Sequence, residues 1–346
     1  MKIKKRIKVL IVDDSIIYRK LLFEGISVDP AINVVATATD PYDARDKIIK
    51  YKPDVMILDV EMPRMSGIEF LRKLMPQYPL PVIVISSASE RIFDALNAGA
   101  VDFISKIDMK TSKSIESYIN EIIIKIKIAS IANLSQWERD VKKVISYIKP
   151  YWKNKLIAIG ASTGGTEAIL TILKSLPKNT PGIVIVQHMP PVFTKMYAQR
   201  LDNSVVLNVT EAKTGAVVQQ GCVLIAPGDY HMKVKKTGSN YTVKCFKGEK
   251  VNGHCPSVDV LFNSVAYEAG KDAIGVILTG MGYDGAKGLL TMRKNGARTI
   301  GQDEYTSVVY GMPKVAYDLG AVEKQAQLEN IPRIIYSFLN DGDNDV

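Results

Sequence analysis

Short apolar runs alternate with amphipathic stretches along most of this chain. The pattern predicts strands at Ile7–Val12, 34–37, Val55–Asp59, Val82–Ser86 and 101–104, with helices between them, as at Ile16–Ile26 and 44–51. Strands alternating with helices imply a parallel, doubly wound α/β sheet. The pattern changes from 115 to 151. There is no glycine and no strand signal there, and Ile119, Ile122, Ile123 and Ile126 recur at helical spacing before Trp137, Val141, Val144 and Ile148. This predicts a last helix running into a helical linker, with Pro150 as its stop. Alternation resumes at Leu156 and continues through 183–187, 205–209, 223–226 and 273–279. A hairpin is predicted over 233–246, turning at Gly238–Asn240. The reading is two α/β domains, 1–124 and 153–346, joined by a helical linker over 125–152.

Composition narrows the class. A chain of 346 residues is long enough for two separate cores, and 47% hydrophobic with 23% charged residues describes a soluble globular protein. No apolar run approaches the roughly 20 residues that span a bilayer, so membrane insertion is not expected. The apolar run after the basic start stops at Asp13 and Asp14, which marks a first strand and not a secretory signal. The net charge of +9 is scattered and not interleaved with aromatics, so nucleic acid is not an expected partner. Cys222, Cys245 and Cys255 are odd in number and lack C-x-x-C spacing. Reduced thiols in a cytoplasmic protein follow, and neither disulfides nor a zinc site.

Two groups of residues carry candidate chemistry. In the first domain, Asp13 and Asp14 follow one strand and Asp59 ends another. Strand ends on one rim bring such carboxylates together, and like charges at short range need compensation. A hard cation such as Mg²⁺ supplies it. Lys106 and Ser86, also at strand ends, add an ammonium and a hydroxyl, a set suited to phosphoryl transfer to an aspartate. The weaker alternative is that the Asp pair only caps a helix. In the second domain, the run ending in Gly160-Ala-Ser-Thr-Gly164 lifts Ser162 from a strand end. His188 ends the next apolar run, and Asp284 sits in a glycine-rich turn after a third. A serine hydroxyl needs a histidine to take its proton and a carboxylate to orient that histidine. Backbone N–H groups near Thr163 or Met281 are candidate oxyanion donors. Three alternatives stay open at this level. The glycine turn could cradle a phosphate or dinucleotide at a helix N-terminus, making the chain a non-catalytic binding module. Asp284 could merely cap a helix over 285–295. His231 and His254 are read as structural or substrate-contacting, not as the base.

Longer motifs sharpen this. Val12-Asp-Asp-Ser15, Leu58-Asp-Val-Glu-Met-Pro-Arg-Met-Ser-Gly67, Val84-Ile-Ser-Ser87 and Ala98-Gly-Ala-Val-Asp-Phe-Ile-Ser-Lys106 resemble a two-component response-regulator receiver domain of flavodoxin-like fold. The resemblance implies that Asp59 accepts a phosphoryl group from a histidine kinase. It implies that Asp13, Asp14, Asp59 and the Glu61 carbonyl hold Mg²⁺, and that Ser86 and Lys106 contact the phosphoryl group. Ile107 stands where that family usually has proline.

From about 157 to 320 the chain resembles the CheB chemotaxis methylesterases. The matching segments are Ile159-Gly-Ala-Ser-Thr-Gly-Gly165, Val186-Gln-His-Met-Pro190, Phe193-Thr194 with Arg200-Leu201, Ile225-Ala-Pro-Gly228, Pro256-Ser-Val-Asp259, Leu278-Thr-Gly-Met-Gly-Tyr-Asp-Gly285, Gln302-Asp-Glu304 and Tyr310-Gly-Met-Pro313. The resemblance implies Ser162 as nucleophile, His188 as base and Asp284 as orienting acid. No cofactor is implied for hydrolysis. It implies glutamyl methyl esters on methyl-accepting chemoreceptors as substrate, deamidation of receptor glutamines as a second reaction, and a receiver that covers the active-site rim until phosphorylated. Cys255 stands where arginine is usual.

Overall fold

The computed structural model describes residues 6–87, 89–107, 115–134, 152 and 154–340. The chain divides into two compact units between Trp137 and Glu138. The first carries β1 (Ile7–Val12), α1 (Ile16–Ile26), β2 (Ile32–Ala38), α2 (Pro41–Tyr51), β3 (Val55–Asp59), α3 (Gly67–Leu74), β4 (Val82–Ser86), α4 (Ser89–Asn97), β5 (Asp102–Ser105) and α5 (Ile115–Ala129). Its five strands pair in the order β2-β1-β3-β4-β5, all parallel. β3 and β4 are buried along their whole length, as expected of strands covered by helices on both faces. The connections diverge between β1 and β3, and the crevice of such a sheet opens at that switch point.

The second unit carries β6 (Leu156–Ala161), α6 (Gly165–Lys174), β7 (Gly182–Gln187), α7 (Phe193–Asp202), β8 (Asn208–Glu211), β9 (Val217–Val218), β10 (Cys222–Ile225), β11 (His231–Thr237), β12 (Asn240–Phe246) and α8 (Val258–Glu268). β13 (Ala273–Ile277), α9 (Ala286–Lys294), β14 (Arg298–Gln302), α10 (Met312–Asp318), β15 (Lys324–Ala326) and α11 (Ile331–Asn340) complete it. Seven parallel strands run β15-β14-β13-β6-β7-β10-β8. Here the direction of winding changes between β6 and β13. α8 and α9 cover one face, where Val258, Phe262, Val265, Leu289 and Met292 are buried together. No described helix is long and apolar enough to cross a membrane.

Several expectations need adjustment. The strand read at 205–209 begins only at Asn208, because Val205 N–H still donates to Leu201 O as the chain unwinds from α7. The hairpin is part of a three-stranded antiparallel sheet, β11-β12-β9. β14 and β15 had no clear signal: β14 is interrupted by Thr299 and Gly301, and β15 is a short, mostly exposed edge. Of the helical linker predicted over 125–152, the part up to Ala129 belongs to α5, residues 130–134 are a turn and irregular chain and are not helical, and Trp137, Val141, Val144 and Ile148 lie outside the described residues.

Candidate active site and acidic pocket

Ser162, His188 and Asp284 come from three adjacent strands. β6 pairs with β7 through Ala161 and Gln187, and His188 N–H donates to Ala161 O at 3.1 Å. On the other side Ser162 N–H donates to Thr279 O at 3.0 Å, just beyond β13. Serine and histidine therefore leave the sheet side by side. Two glycines make the turn possible. Gly164, at φ +77°, is the N-cap of α6, and a side chain on Gly280 would place its Cβ 2.7 Å from the Ser162 Cβ.

Asp284 is 2% exposed, and five donors surround it. Its Oδ2 accepts from His188 Nε2 at 2.9 Å and Val258 N–H at 2.7 Å. Its Oδ1 accepts from Ser257 Oγ and Asn252 Nδ2, each at 2.8 Å, and from Asp259 N–H at 3.2 Å. Burial opposes the charge, but the His188 contact, then Asn252 and Ser257, outweigh it and hold the carboxyl well below the usual carboxylate range. The expectation that Asp284 might cap the helix after it is corrected. Gly285 is the N-cap of α9 without any side-chain bond, and Asp284 reaches instead to the start of α8.

A carboxylate only accepts, so His188 Nε2 carries a proton toward Asp284. The other ring nitrogen, Nδ1, is buried without a hydrogen-bond partner. The Ser162 hydroxyl is thus not hydrogen-bonded to the ring in this state. The backbone N–H groups of Thr163 and Met281 have no acceptor among the described residues. His254 stacks on His188 with centroids 3.7 Å apart and planes 7° from parallel. Burial, and then the neighbouring His188, push the His254 pKa down to about 4, so it stacks as a neutral ring. His231 is structural: it takes Ser257 N–H on Nδ1 and faces Glu249 O through Nε2.

Sequence reasoning missed three supporting residues. Gln187 donates to the carbonyls of Ser162 and His188, pinning both turns. Asn252 bridges Asp284 and Asp259, and Ser257 holds Asp284. Ser257 was findable, since Ser-Val-Asp before an apolar run is a helix-start signature; Asn252 carried no signal.

In the first unit, oxygens of Asp13, Asp14 and Asp59 lie within 4.8 Å of one another, the only such grouping among the described residues. Lys106 Nζ donates to Asp59 Oδ2 at 2.6 Å and lies 3.0 Å from Asp13 Oδ2. Lys106 is the only cation that Asp13 Oδ2 meets among the described residues. Three clustered carboxylates balanced by one ammonium leave an excess of negative charge that fits a hard divalent cation. Burial, partly offset by Lys106, raises the Asp59 pKa to about 6. Glu61 N–H donates to Asp59 Oδ1, which places the Glu61 backbone beside that carboxylate. Ser86 is buried at the end of β4, and its carbonyl accepts from Lys106 N–H. Asp13 and Asp14 do not cap α1; Ser15 does.

Residues 157–335 match the CheB methylesterase model and residues 9–115 match the response regulator receiver domain. A Syntrophomonas wolfei protein named protein-glutamate methylesterase/protein-glutamine glutaminase 2 is 61% identical, covering 97% of this chain and 98% of its own. The chain belongs to the CheB methylesterase family. A similarly named Pseudomonas aeruginosa family member is 48% identical over 94% of this chain and 95% of its own. The crystal structure of the Thermotoga maritima CheB methylesterase catalytic domain covers 53% of this chain and 97% of that one, at 41% identity and a TM-score of 0.52. The family assignment thus extends over both units, with the methylesterase fold in the second.

Proposed function

We propose that this chain hydrolyses methyl esters of glutamate side chains on chemoreceptors, and that Ser162, His188 and Asp284 perform the reaction. One observation carries the proposal. His188 has its Nε2 committed to Asp284 and its Nδ1 buried and unpartnered, and its backbone leaves the sheet beside the Ser162 turn. Asp284 keeps the proton on Nε2, so the Nδ1 lone pair is the base. Nδ1 takes the Ser162 hydroxyl proton as Oγ attacks the ester carbonyl carbon. The carbonyl oxygen becomes an oxyanion, received by the Thr163 and Met281 N–H groups. When the C–OCH₃ bond breaks, the proton on Nδ1 passes to methoxide and methanol leaves. Water, deprotonated by the same nitrogen, then attacks the acyl carbon, and as the acyl–Oγ bond breaks the proton on Nδ1 returns to Ser162. The Ser162–His188 hydrogen bond forms with substrate in place, as such bonds often tighten only in the complex. With glutamine the leaving group is ammonia, so the same site deamidates. Hydrolysis needs no cofactor.

The first unit regulates the second. A bound Mg²⁺ would be held by Asp13, Asp14, Asp59 and the Glu61 carbonyl, and would neutralise charge on an incoming phosphoryl group. Asp59 accepts that group from a chemotaxis histidine kinase, and Lys106 and Ser86 contact it. We place the independent catalytic domain at 153–346, the receiver at 1–124 and a linker at 125–152. A serine-directed phosphonofluoridate tests the central assignment. Single modification at Ser162, lost in Ser162→Ala, supports it, and failure to label folded protein favours a phosphate-binding module instead.

A further inference from the structure

We infer that Tyr18 is the positioning residue of the phosphorylation pocket, because one side chain holds the Lys106 turn from both sides. Tyr18 lies on α1 and is 7% exposed. Its ring is beneath the Lys106 ammonium, with Nζ 4.9 Å from the centroid, a cation–π distance. Its hydroxyl accepts the N–H of Ile107, the next residue, at 3.0 Å. The same hydroxyl is 2.6 Å from the Tyr118 hydroxyl on α5, and the two rings meet edge to face. The Lys106 head is thus bounded by Asp59, Asp13 and the Tyr18 ring, and the peptide after it is tied to α1 and α5.

The unusual residue at 107 explains why this device is needed. A proline has no N–H and a fixed φ, so it stiffens such a turn without a partner. Isoleucine supplies a donor that must be satisfied once it leaves water, and Tyr18 supplies the acceptor. Burial raises the pKa of both tyrosines, so the two hydroxyls stay protonated and neutral. Tyr18 makes its hydrogen bonds to Ser15, Tyr118 and Ile107 and none to the three carboxylates proposed to hold the cation. It acts through Lys106, by keeping the ammonium where an incoming phosphoryl group arrives.

The inference rests on Asp59 being the phosphoacceptor, and the test separates the two claims. Full-length protein is treated with Mg²⁺ and labelled acetyl phosphate. An Asp59 oxygen attacks phosphorus, a new O–P bond forms, and acetate leaves with the electron pair of the broken bond. Labelling rate and Mg²⁺ affinity are measured for wild type, Tyr18→Phe, Tyr18→Leu, Ile107→Pro and the Tyr18→Phe/Ile107→Pro double variant. Tyr18→Phe keeps the ring and loses the hydroxyl, so the rate should fall roughly three- to tenfold, the range one neutral hydrogen bond carries. Tyr18→Leu should fall further, and Mg²⁺ affinity should stay unchanged in both. In the Ile107→Pro background Tyr18→Phe should cost nothing more, because no N–H remains to hold. If Ile107→Pro does not fold, amide exchange at Ile107 replaces it and should quicken in Tyr18→Phe. An unchanged rate in Tyr18→Phe, a parallel loss of Mg²⁺ affinity, an undiminished Tyr18→Phe cost beside proline, or unchanged amide exchange overturns the inference. Absence of label in wild type would instead defeat the phosphoacceptor reading.

Discussion

Replacing Asp284 with asparagine should damage stability and catalysis together. The carboxylate accepts five hydrogen bonds on two oxygens. An asparagine offers one oxygen and one NH₂. If its oxygen faces Ser257, Asn252 and Asp259, the NH₂ confronts Val258 N–H and the imidazole. Val258 then loses its acceptor, and Nε2 must give up its proton. The proton moves to Nδ1, which can no longer serve as base. If the oxygen faces His188 and Val258, the NH₂ confronts Asn252 and the N–H of Asp259, while the Ser257 hydroxyl can turn to accept. Each buried donor left unpaired costs about 1–3 kcal/mol. Between one and two such losses occur in either orientation, so the second unit should lose about 1–6 kcal/mol. The first orientation keeps three of the five donors paired and the second only two, so the first prevails, and the rate should fall about 10²–10⁴-fold, since a wrong tautomer removes base catalysis but leaves the serine and oxyanion donors. Denaturation followed by Trp152 fluorescence, in a Trp137→Phe background, reads the first effect. Trp152 is buried in this unit against Tyr336. Ester hydrolysis at a temperature where the variant is folded reads the second. An unchanged midpoint, or a folded variant with wild-type rate, would refute the reasoning.

The remaining predictions concern other parts of the account. Asp59→Asn should abolish acyl-phosphate labelling by acetyl phosphate and Mg²⁺; hydroxylamine-sensitive label retained in that variant would move the phosphoacceptor elsewhere. His254 carries a pKa of about 4 in the fold against 6.5 when exposed, so its protonation favours the unfolded chain. Stability is full above pH 6.5 and is lost as pH falls toward 4, by at most about 3 kcal/mol and less with solvent screening; His254→Phe, which keeps a stacked ring, should flatten the melting-temperature profile across that window. A fragment starting at 153 should demethylate receptors roughly 5–150-fold faster than the unphosphorylated full chain, the range of a coupling of about 1–3 kcal/mol. It should also ignore phosphodonors; equal basal rates without response would reject inhibition by the receiver.

Much of this was legible in sequence, for identifiable reasons. Strands such as Val55–Asp59 and Val82–Ser86 are continuous apolar runs ending in polar residues, so both the strand and its polar end could be read directly. Ser162, His188 and Asp284 each follow such a run, and parallel strands carry their C-terminal ends to one rim. What stayed hidden depends on partners distant in sequence. β15 exists because β14 supplies its hydrogen bonds, not because its own residues favour a strand. Asn252 matters only through two carboxylates brought to it by α8 and the turn after β13. The stacking of His254 on His188 joins residues from two separate turns. Ile107 stood out as a departure, but only the fold shows that a tyrosine of α1 receives its N–H.

The most direct test of the central claim is methanol release from chemoreceptor carrying labelled glutamyl methyl esters. Wild-type protein should release labelled methanol. Folded Ser162→Ala should do so at least about 10³-fold more slowly, retaining only what binding and the oxyanion donors supply. Near-normal release by that variant would contradict the assignment of Ser162 as nucleophile and the account built on it.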